Sequence, residues 1–257
     1  MTVPVAATAA DALDAAQRQA VATKQLPGGL TVAEAYEIQH AVLARRTGRG
    51  ERVVGTKLGF TSEAKMAQMG VSEIIVGQLT DAMQVPDGAE VDLTRFIHPR
   101  IEPEVAFRLS RALELDDPDA DIATCVDAVA PALEIIDSRY RDFRFSLPDV
   151  VADNTSAAAF VIGPWLDLLS GTAALPELAV ELVVAGVTVE RGSTSDILGH
   201  PVRALRALVP MARKYGFALP AGQIVLAGAA TAAVPFAAAV VEARVATLGS
   251  VSVRGVL

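Results

Sequence analysis

One cysteine, one tryptophan and three histidines in 257 residues leave few soft metal ligands or ready nucleophiles. A lone Cys125 excludes an internal disulfide and any cysteine-cluster metal site, and it fits a reducing compartment. No glycine-rich phosphate loop, no GxSxG elbow and no Cys/His nucleophile arrangement is present, which removes the commonest nucleotide-binding and acyl-transfer signatures. Positive charge is also short. Lys plus Arg number 22 against 30 for Asp plus Glu, a net charge of -8, so the surface has no electrostatic reason to hold nucleic acid or anionic lipid. The opening "MTVPVAATAADALDAAQRQ" lacks a basic start followed by an apolar run, so a cytoplasmic protein is expected. One uncharged run, "IVLAGAATAAVPFAAAVV" (224–241), reaches membrane-span length. It is mostly alanine and holds Gly228, Thr231 and Pro235, so the expectation is strand, small-residue loop, strand rather than a span.

The remainder is 52% hydrophobic and 20% charged, the balance of a globular chain long enough for one or two domains. Residues 8–24 and 32–48 read as helices, the second opened by Thr31 and Glu34 at capping-box spacing. Strands are expected at 52–60, at 97–107, in "ALEIID", "FVIG", "ELAVELVVAGVTVERG", "QIVLAG", "AVVEARVATLG" and "VSVRGV". "TSEAKMAQMG" (61–70) reads as a short helix and "LTDAMQVPDGAEVD" as a loop. Residues 119–130 read as a helix leading through Pro131 into a strand. Residues 201–215 read as a helix that bends or breaks near Pro210. The organisation is α+β: a helical N-terminal portion (1–50) and a strand-rich body (51–257), expected to form one compact unit.

"IHPRIEPEVAF" places two carboxylates in an apolar strand. Period-2 geometry puts Glu102, Glu104 and Ala106 on one face and Ile101, Pro103, Val105 and Phe107 on the other. Glu134 lies in the similarly apolar "PALEIID". Buried carboxylates are rarely left unpaired, because an isolated buried charge costs several kcal/mol or is neutralised. Three acids without nearby His or Cys suit a hard divalent cation, Mg²⁺ or Mn²⁺ over Zn²⁺. The competing reading pairs each glutamate with an arginine (Arg100, Arg108 or Arg139) or leaves it solvated. Lys57, in "GTKLG", shares a strand face with Gly55 and Gly59, which would leave open space beside it. It reads either as a surface lysine or as a cation facing a bound anion. Asp153, Asn154, Thr155 and Ser156 form a polar run typical of turns. Arg139 and Arg141 offer planar forks suited to a dicarboxylate. His98 and His200 read as ordinary loop residues.

"VVGTKLGFTSEAKMAQMGV", "IHPRIEPEVAF", "PALEIIDSRYRDF", "VVADNTSAAAFVIG", "ILGHP" and "GSVSV" occur in order across about residues 30 to 257. As a set they resemble the 2-keto-4-pentenoate hydratase and 4-oxalocrotonate decarboxylase group of the fumarylacetoacetate hydrolase superfamily. The resemblance implies a mixed β-roll or sandwich body and Mg²⁺ or Mn²⁺ held by Glu102, Glu104 and Glu134. It implies Lys57 and Asp81 as catalytic residues and Ser156 as a polar position on the pocket wall. "IDSRYRDFRF" is similar to the decarboxylase branch, which acts on 2-oxo-3-hexenedioate, with Arg139 or Arg141 as candidates to meet its second carboxylate. Hydration of 2-hydroxypenta-2,4-dienoate on the same metal, with Asp81 moving protons, is the alternative. A non-catalytic subunit of a decarboxylase–hydratase complex is a further one. Expected partners are a small 2-oxo acid, further copies of the chain and a partner hydratase, with neither nucleic acid nor membrane. Pro103 departs from the family pattern. Lacking an N–H, it should sit on an edge strand or face an unpaired position.

Overall fold

The alanine-rich N-terminal run forms helix α1 (Val3–Gln19), which ends where Ala20 takes a left-handed φ of 52°. The computed structural model describes residues 3–62, 66–67, 73–168, 175 and 177–257, so the expected helix over 61–70 lies largely outside the described residues. Helix α2 (Val32–Gly48) carries the expected capping box, with the Thr31 side chain accepting the Glu34 N–H and Glu34 accepting that of Thr31. It buries Ala35, Tyr36, Ile38 and Val42. The two helices are riveted to each other by Arg49, whose guanidinium donates to both oxygens of Asp14 at 2.7 and 2.8 Å.

Strands β1 (Val53–Gly59), β2 (Ile75–Thr80), β3 (Gln84–Val85) and β4 (Glu90–Asp92) follow. The segment expected as a loop thus contributes two short strands. Strand β5 (Arg100–Leu109) is the glutamate strand, and β6 (Val126–Ile136) pairs with it along its whole length. The helix expected over 119–130 reduces to one 3-10 turn, Ile122–Cys125, capped by Asp121. From Val126 onward the chain is strand, because the Ala-Val-Ala sequence supplies small and branched side chains to two buried faces, and burial overrides alanine's helical preference. Pro131 lies inside β6 without breaking it. Helix α3 (Leu147–Ala152) precedes β7 (Ala157–Ile162) and β8 (Leu166–Asp167), and both strands flank β6 on either side of that proline.

The hairpin β9 (Ala179–Val184) and β10 (Val187–Ser193) comes next. Helix α4 (Pro201–Tyr215) runs uninterrupted through Pro210, so the expected break is absent, and Gly216 ends it at φ 75°. His200 accepts the Val202 N–H and caps this helix. Strands β11 (Ile224–Ala229), β12 (Val234–Pro235), β13 (Val240–Val245) and β14 (Gly249–Val256) complete the chain. The uncharged run 224–241 is therefore strand, loop and strand, and among the described residues no helix is long and apolar enough to cross a membrane.

A nine-stranded mixed sheet runs β2-β1-β11-β5-β6-β7-β3, with β12 and β8 attached to β5 and β6. A second sheet runs β10-β9-β13-β14-β4. Ile101, Leu133, Ile135 and Val161 of the first sheet pack with Leu182, Val241, Val251 and Val253 of the second. The helices join Leu58, Val105 and Phe107 in a larger core containing Tyr36, Tyr140, Leu205 and Leu208. The apolar face of β5 is thus fully buried, as its alternation predicts, and each such side chain contributes about 1.5–3 kcal/mol. That burial offsets the cost of what the other face carries.

Candidate metal and substrate site

The opposite face of β5 is buried as well. Across the β5–β6 ladder Glu102 stands opposite Glu134, Glu104 opposite Ala132, and Ala106 opposite Ala130. Opposed residues share a face, so three carboxylates converge over a floor of small side chains. One oxygen from each lies within 4.8 Å of the others. Glu104 and Glu134 are 0% exposed, while Glu102 is half-buried and opens into a cavity of about 1450 Å³.

The proline between the glutamates is accommodated in the second of the two expected ways. β5 is interior, but the Pro103 carbonyl accepts the Ala230 N–H, so its nitrogen faces the same side. There β11 pairing ends at Glu104 and β12 pairing begins at Ile101. Pro103 falls in the seam between the two strands, where no donor is required.

Lys57 is 3% exposed, with Nζ 2.9 Å from Glu134 Oε2 and donating to the Thr155 carbonyl at 3.2 Å. Burial alone would lower its pKa, but the joint field of Glu134, Glu102 and Glu104 outweighs burial and holds it above the ordinary lysine value. The surface-lysine reading fails. Burial and the neighbouring Glu134 push the Glu104 carboxyl well above the usual range. Glu104 Oε2 accepts the Gly228 N–H at 2.8 Å, whereas Glu104 Oε1 and Glu134 Oε1 have no hydrogen-bond partner among the described residues.

Space for the lysine comes from a different glycine than expected. A Cβ on Gly55 would meet the Ile224 carbonyl at 2.6 Å, and one on Gly59 would meet Thr155 Cγ2 at 2.7 Å, so both positions permit close backbone packing and leave no vacancy. Gly77, the cross-strand partner of Lys57, clears the stem: a Cβ there would lie 3.1 Å from Lys57 Cδ and 2.6 Å from the Asn154 carbonyl.

The polar run forms a left-handed turn, with φ of 50°, 55° and 58° at Asn154, Thr155 and Ser156. Such backbone is costly for a β-branched residue and persists only where its surroundings fix it. Asn154 clamps the Gln78 peptide, accepting its N–H at 2.7 Å and donating to its carbonyl at 2.8 Å. Arg139 pairs with the buried Asp153 carboxylate and also donates to the carbonyls of Asp137, Ala157 and Asp153. Burial raises Asp153 to about 6 despite this guanidinium. The turn delivers the Thr155 carbonyl to Lys57 and brings Thr155 and Ser156 into the cavity lining, with buried hydroxyls that lack a partner among the described residues.

The structure therefore brings together Glu102, Glu104, Glu134, Lys57 and Ser156 and leaves three expected site residues elsewhere. Arg139 is occupied as the latch of the turn. Arg141 is exposed and absent from the cavity lining. Asp81 also lies outside the lining, held by the Arg52 backbone N–H and guanidinium, which together lower its pKa. The arginines that might have paired with the glutamates are otherwise engaged: Arg108 binds Asp127, and Arg100 donates to the Ala233 carbonyl. Sequence reasoning missed the lining residues Arg100, Arg144 and Arg191 and the rings Phe143 and Phe145. The signal for Phe143, Arg144 and Phe145 was the density of arginine and phenylalanine in "SRYRDFRF", while Arg100 reads in sequence only as a partner for the glutamates.

Residues 52–254 match the model of the fumarylacetoacetate (FAA) hydrolase C-terminal family. This chain belongs to that family. Among its relatives, 4-oxalocrotonate decarboxylase of Pseudomonas sp. is 49% identical over 246 residues, covering 95% of each chain. The 2-hydroxyhexa-2,4-dienoate hydratase of Comamonas testosteroni is 35% identical over 239 residues, covering 89% of this chain and 87% of its own. In three dimensions the family member 4-oxalocrotonate decarboxylase from Pseudomonas putida G7, solved with magnesium and adipate, superposes with a TM-score of 0.93 at 35% identity, covering 100% of this chain and 99% of that one. The FAA hydrolase fold thus accounts for both sheets, and the α+β expectation holds.

Proposed function

We propose that this protein is a divalent-metal-dependent decarboxylase converting 2-oxo-3-hexenedioate (4-oxalocrotonate) to 2-hydroxypenta-2,4-dienoate and CO₂, with Mg²⁺ or Mn²⁺ as cofactor. The observation that carries the reading is the buried carboxylate triad, open to the cavity through Glu102, in a chain half identical to a 4-oxalocrotonate decarboxylase. The donor set fits a hard cation. Among the described residues Lys57 is the ammonium set against this triad, at Glu134, and Glu104 Oε1 and Glu134 Oε1 are buried without a hydrogen-bond partner, so a divalent ion would add positive charge and satisfy the orphaned atoms. Glu102, Glu104 and Glu134 would hold it, and the ion would supply Lewis-acid stabilisation of negative charge on a 2-oxo acid.

In the reaction the C5–C6 bond breaks and C6 leaves as CO₂. Its electron pair becomes the C4–C5 double bond, the former C3–C4 π pair moves to C2–C3, and the C2 carbonyl oxygen takes the negative charge and then one proton from solvent to give the 2-hydroxydienoate. Lys57, held ammonium by the glutamate field, supplies fixed positive charge at the end of the cavity where that oxygen belongs. Its Nζ is pinned by Glu134 on one side and Thr155 on the other, so the charge is preorganised. The buried hydroxyls of Thr155 and Ser156 are among the polar groups of the lining that could orient the substrate head. Leu58, Phe60, Ile75, Val150 and Leu198 line the cavity and keep its wall apolar.

Hydration of a 2-hydroxydienoate on the same carboxylates is the second reading, favoured by the hydratase relative. It lacks its expected proton carrier, because Asp81 lies outside the cavity lining. Incubation with each substrate, with and without EDTA, separates the two. Metal-dependent CO₂ release from 2-oxo-3-hexenedioate is expected. Water addition to the dienoate without CO₂ release from the diacid would replace the decarboxylase reading.

A further inference from the structure

A dicarboxylate that presents its 2-oxo acid end to the glutamates leaves a second carboxylate elsewhere in the cavity. Three arginines line that cavity: Arg100, Arg144 and Arg191. Arg100 already donates to the Ala233 carbonyl at 2.7 Å, and Arg191 is engaged by Glu181 at 2.9 Å. Arg144 makes no side-chain hydrogen bond or ion pair to another described residue. Its place in the chain is unusual. Asp142 and Phe143, the two residues before it, both take φ of 57°, a left-handed conformation that costs about 1–3 kcal/mol for each non-glycine residue. The strained turn is held on its flanks: Phe143 packs against His98 at 5.0 Å between ring centroids and against Phe145 at 6.0 Å. His98 is itself fixed by its backbone N–H to Asp137, at 2.8 Å.

Strain of this kind is concentrated at the cavity. Of the ten described non-glycine residues with positive φ, six line it: Phe60, Asp142, Phe143, Thr155, Ser156 and Leu198. The Asp142–Phe143 turn therefore belongs to the site, and the residue that follows it there, Arg144, is a planar five-donor cation in a lining that also holds Phe143 and Phe145.

We infer that Arg144 binds the distal carboxylate of the substrate and sets the preference for 2-oxo dicarboxylates over 2-oxo monocarboxylates. The inference rests on the proposed reading of the substrate as a six-carbon 2-oxo diacid and replaces Arg139 and Arg141 in that role. Arg144 acts in recognition and not in bond cleavage. A guanidinium stabilises the bound carboxylate more than the neutral CO₂ it becomes, so its contribution falls on the ground state. The flanking phenyl rings provide the apolar surroundings in which charge is readily lost from that end. Removing the guanidinium should raise KM while leaving kcat unchanged or higher.

The test uses two saturated probes that share the 2-oxo acid head and cannot decarboxylate by this route, 2-oxoadipate and 2-oxohexanoate. Their affinities are measured by calorimetry in the presence of Mg²⁺. Wild type should bind 2-oxoadipate about tenfold more tightly, the scale of one charge-assisted contact at a partly exposed position. Arg144→Met should bring the two probes to near parity with the 2-oxohexanoate affinity unchanged, which also shows that the variant is folded. Arg191→Met should keep the preference. The inference is overturned if Arg144→Met retains the preference, if it weakens both probes equally, or if wild type prefers neither or binds neither. Failure of the decarboxylase reading is seen separately. Wild type that releases no CO₂ from 2-oxo-3-hexenedioate yet shows an Arg144-dependent preference for 2-oxoadipate would have the diacid subsite but not the proposed reaction.

Discussion

Lys57→Met removes the cation paired with Glu134 while keeping nearly the same volume. The Nζ–Oε2 separation of 2.9 Å, at an effective dielectric constant of about 20, corresponds to an attraction of about 6 kcal/mol. Part of that is offset in wild type by the cost of burying the ammonium, so the net loss expected from deleting one partner of such a pair is about 3–5 kcal/mol. The loss should be largest in EDTA, where Glu104 and Glu134 face each other with no cation. Saturating Mg²⁺ should recover most of it, because the metal fills the same electrostatic deficit and now meets no competing ammonium. At a metal concentration 100 times Kd the added stability is about 2.7 kcal/mol for a protein that binds only when folded, and tighter binding by the variant would add to this. Turnover, in contrast, should not return with the metal. The assay is urea unfolding of both proteins in EDTA and in Mg²⁺, with CO₂ release measured in parallel. A variant as stable as wild type in EDTA would show that Lys57 does not balance the glutamates. Equal stabilisation of neither protein by Mg²⁺ would show that the triad is not the cation site.

Glu104→Gln should leave the fold intact, since its side-chain carbonyl still accepts the Gly228 N–H, and should abolish metal-dependent turnover. Wild-type CO₂ release with added Mg²⁺ would remove Glu104 from the ligand set. Gly77→Ala places a methyl 2.6 Å from the Asn154 carbonyl and 3.1 Å from the Lys57 stem, so it should cost about 1–3 kcal/mol by overpacking and lower kcat by displacing Lys57. Gly48→Ala, at a position with open space, should leave both thermal stability and activity at or above wild type. Asp153 has a folded pKa raised by burial from 3.8 to about 6. Its stabilising contribution is therefore fully present below the unfolded pKa and lost as pH rises through the folded one. Two pKa units correspond to about 3 kcal/mol, so urea unfolding of Asp153→Asn should show a correspondingly flatter dependence on pH than wild type. Parallel pH profiles for the two proteins would refute the assignment.

What was legible in the sequence followed from short-range geometry. The i, i+2 spacing of Glu102 and Glu104 fixes a shared face on any strand, and Thr31 with Glu34 fixes a helix start, because both depend on a few adjacent residues. The third carboxylate could be suspected from its apolar setting, but its position opposite Glu102 is a matter of register between two separate strands, which no local spacing fixes. The 119–130 segment misled for a related reason. Alanine leaves the choice between helix and strand to the neighbours it packs against, and those neighbours come from β5 and β8.

Arginine was the least legible residue of all. Arg139, Arg141 and Arg144 sit within six residues of one another and have equal chemistry on paper. Only the folded backbone separates them. Arg139 turns inward and is consumed by Asp153 and three carbonyls, Arg141 points away from the cavity lining, and the left-handed pair Asp142–Phe143 swings Arg144 back to it. A guanidinium committed to four buried hydrogen bonds is part of the scaffold. One held at a cavity by a strained backbone and short of partners is available to a ligand. The same test applied to Glu104 and Glu134 gives the converse result: carboxylates this deeply buried, with oxygens that lack a donor among the described residues, are stable only if a cation belongs with them.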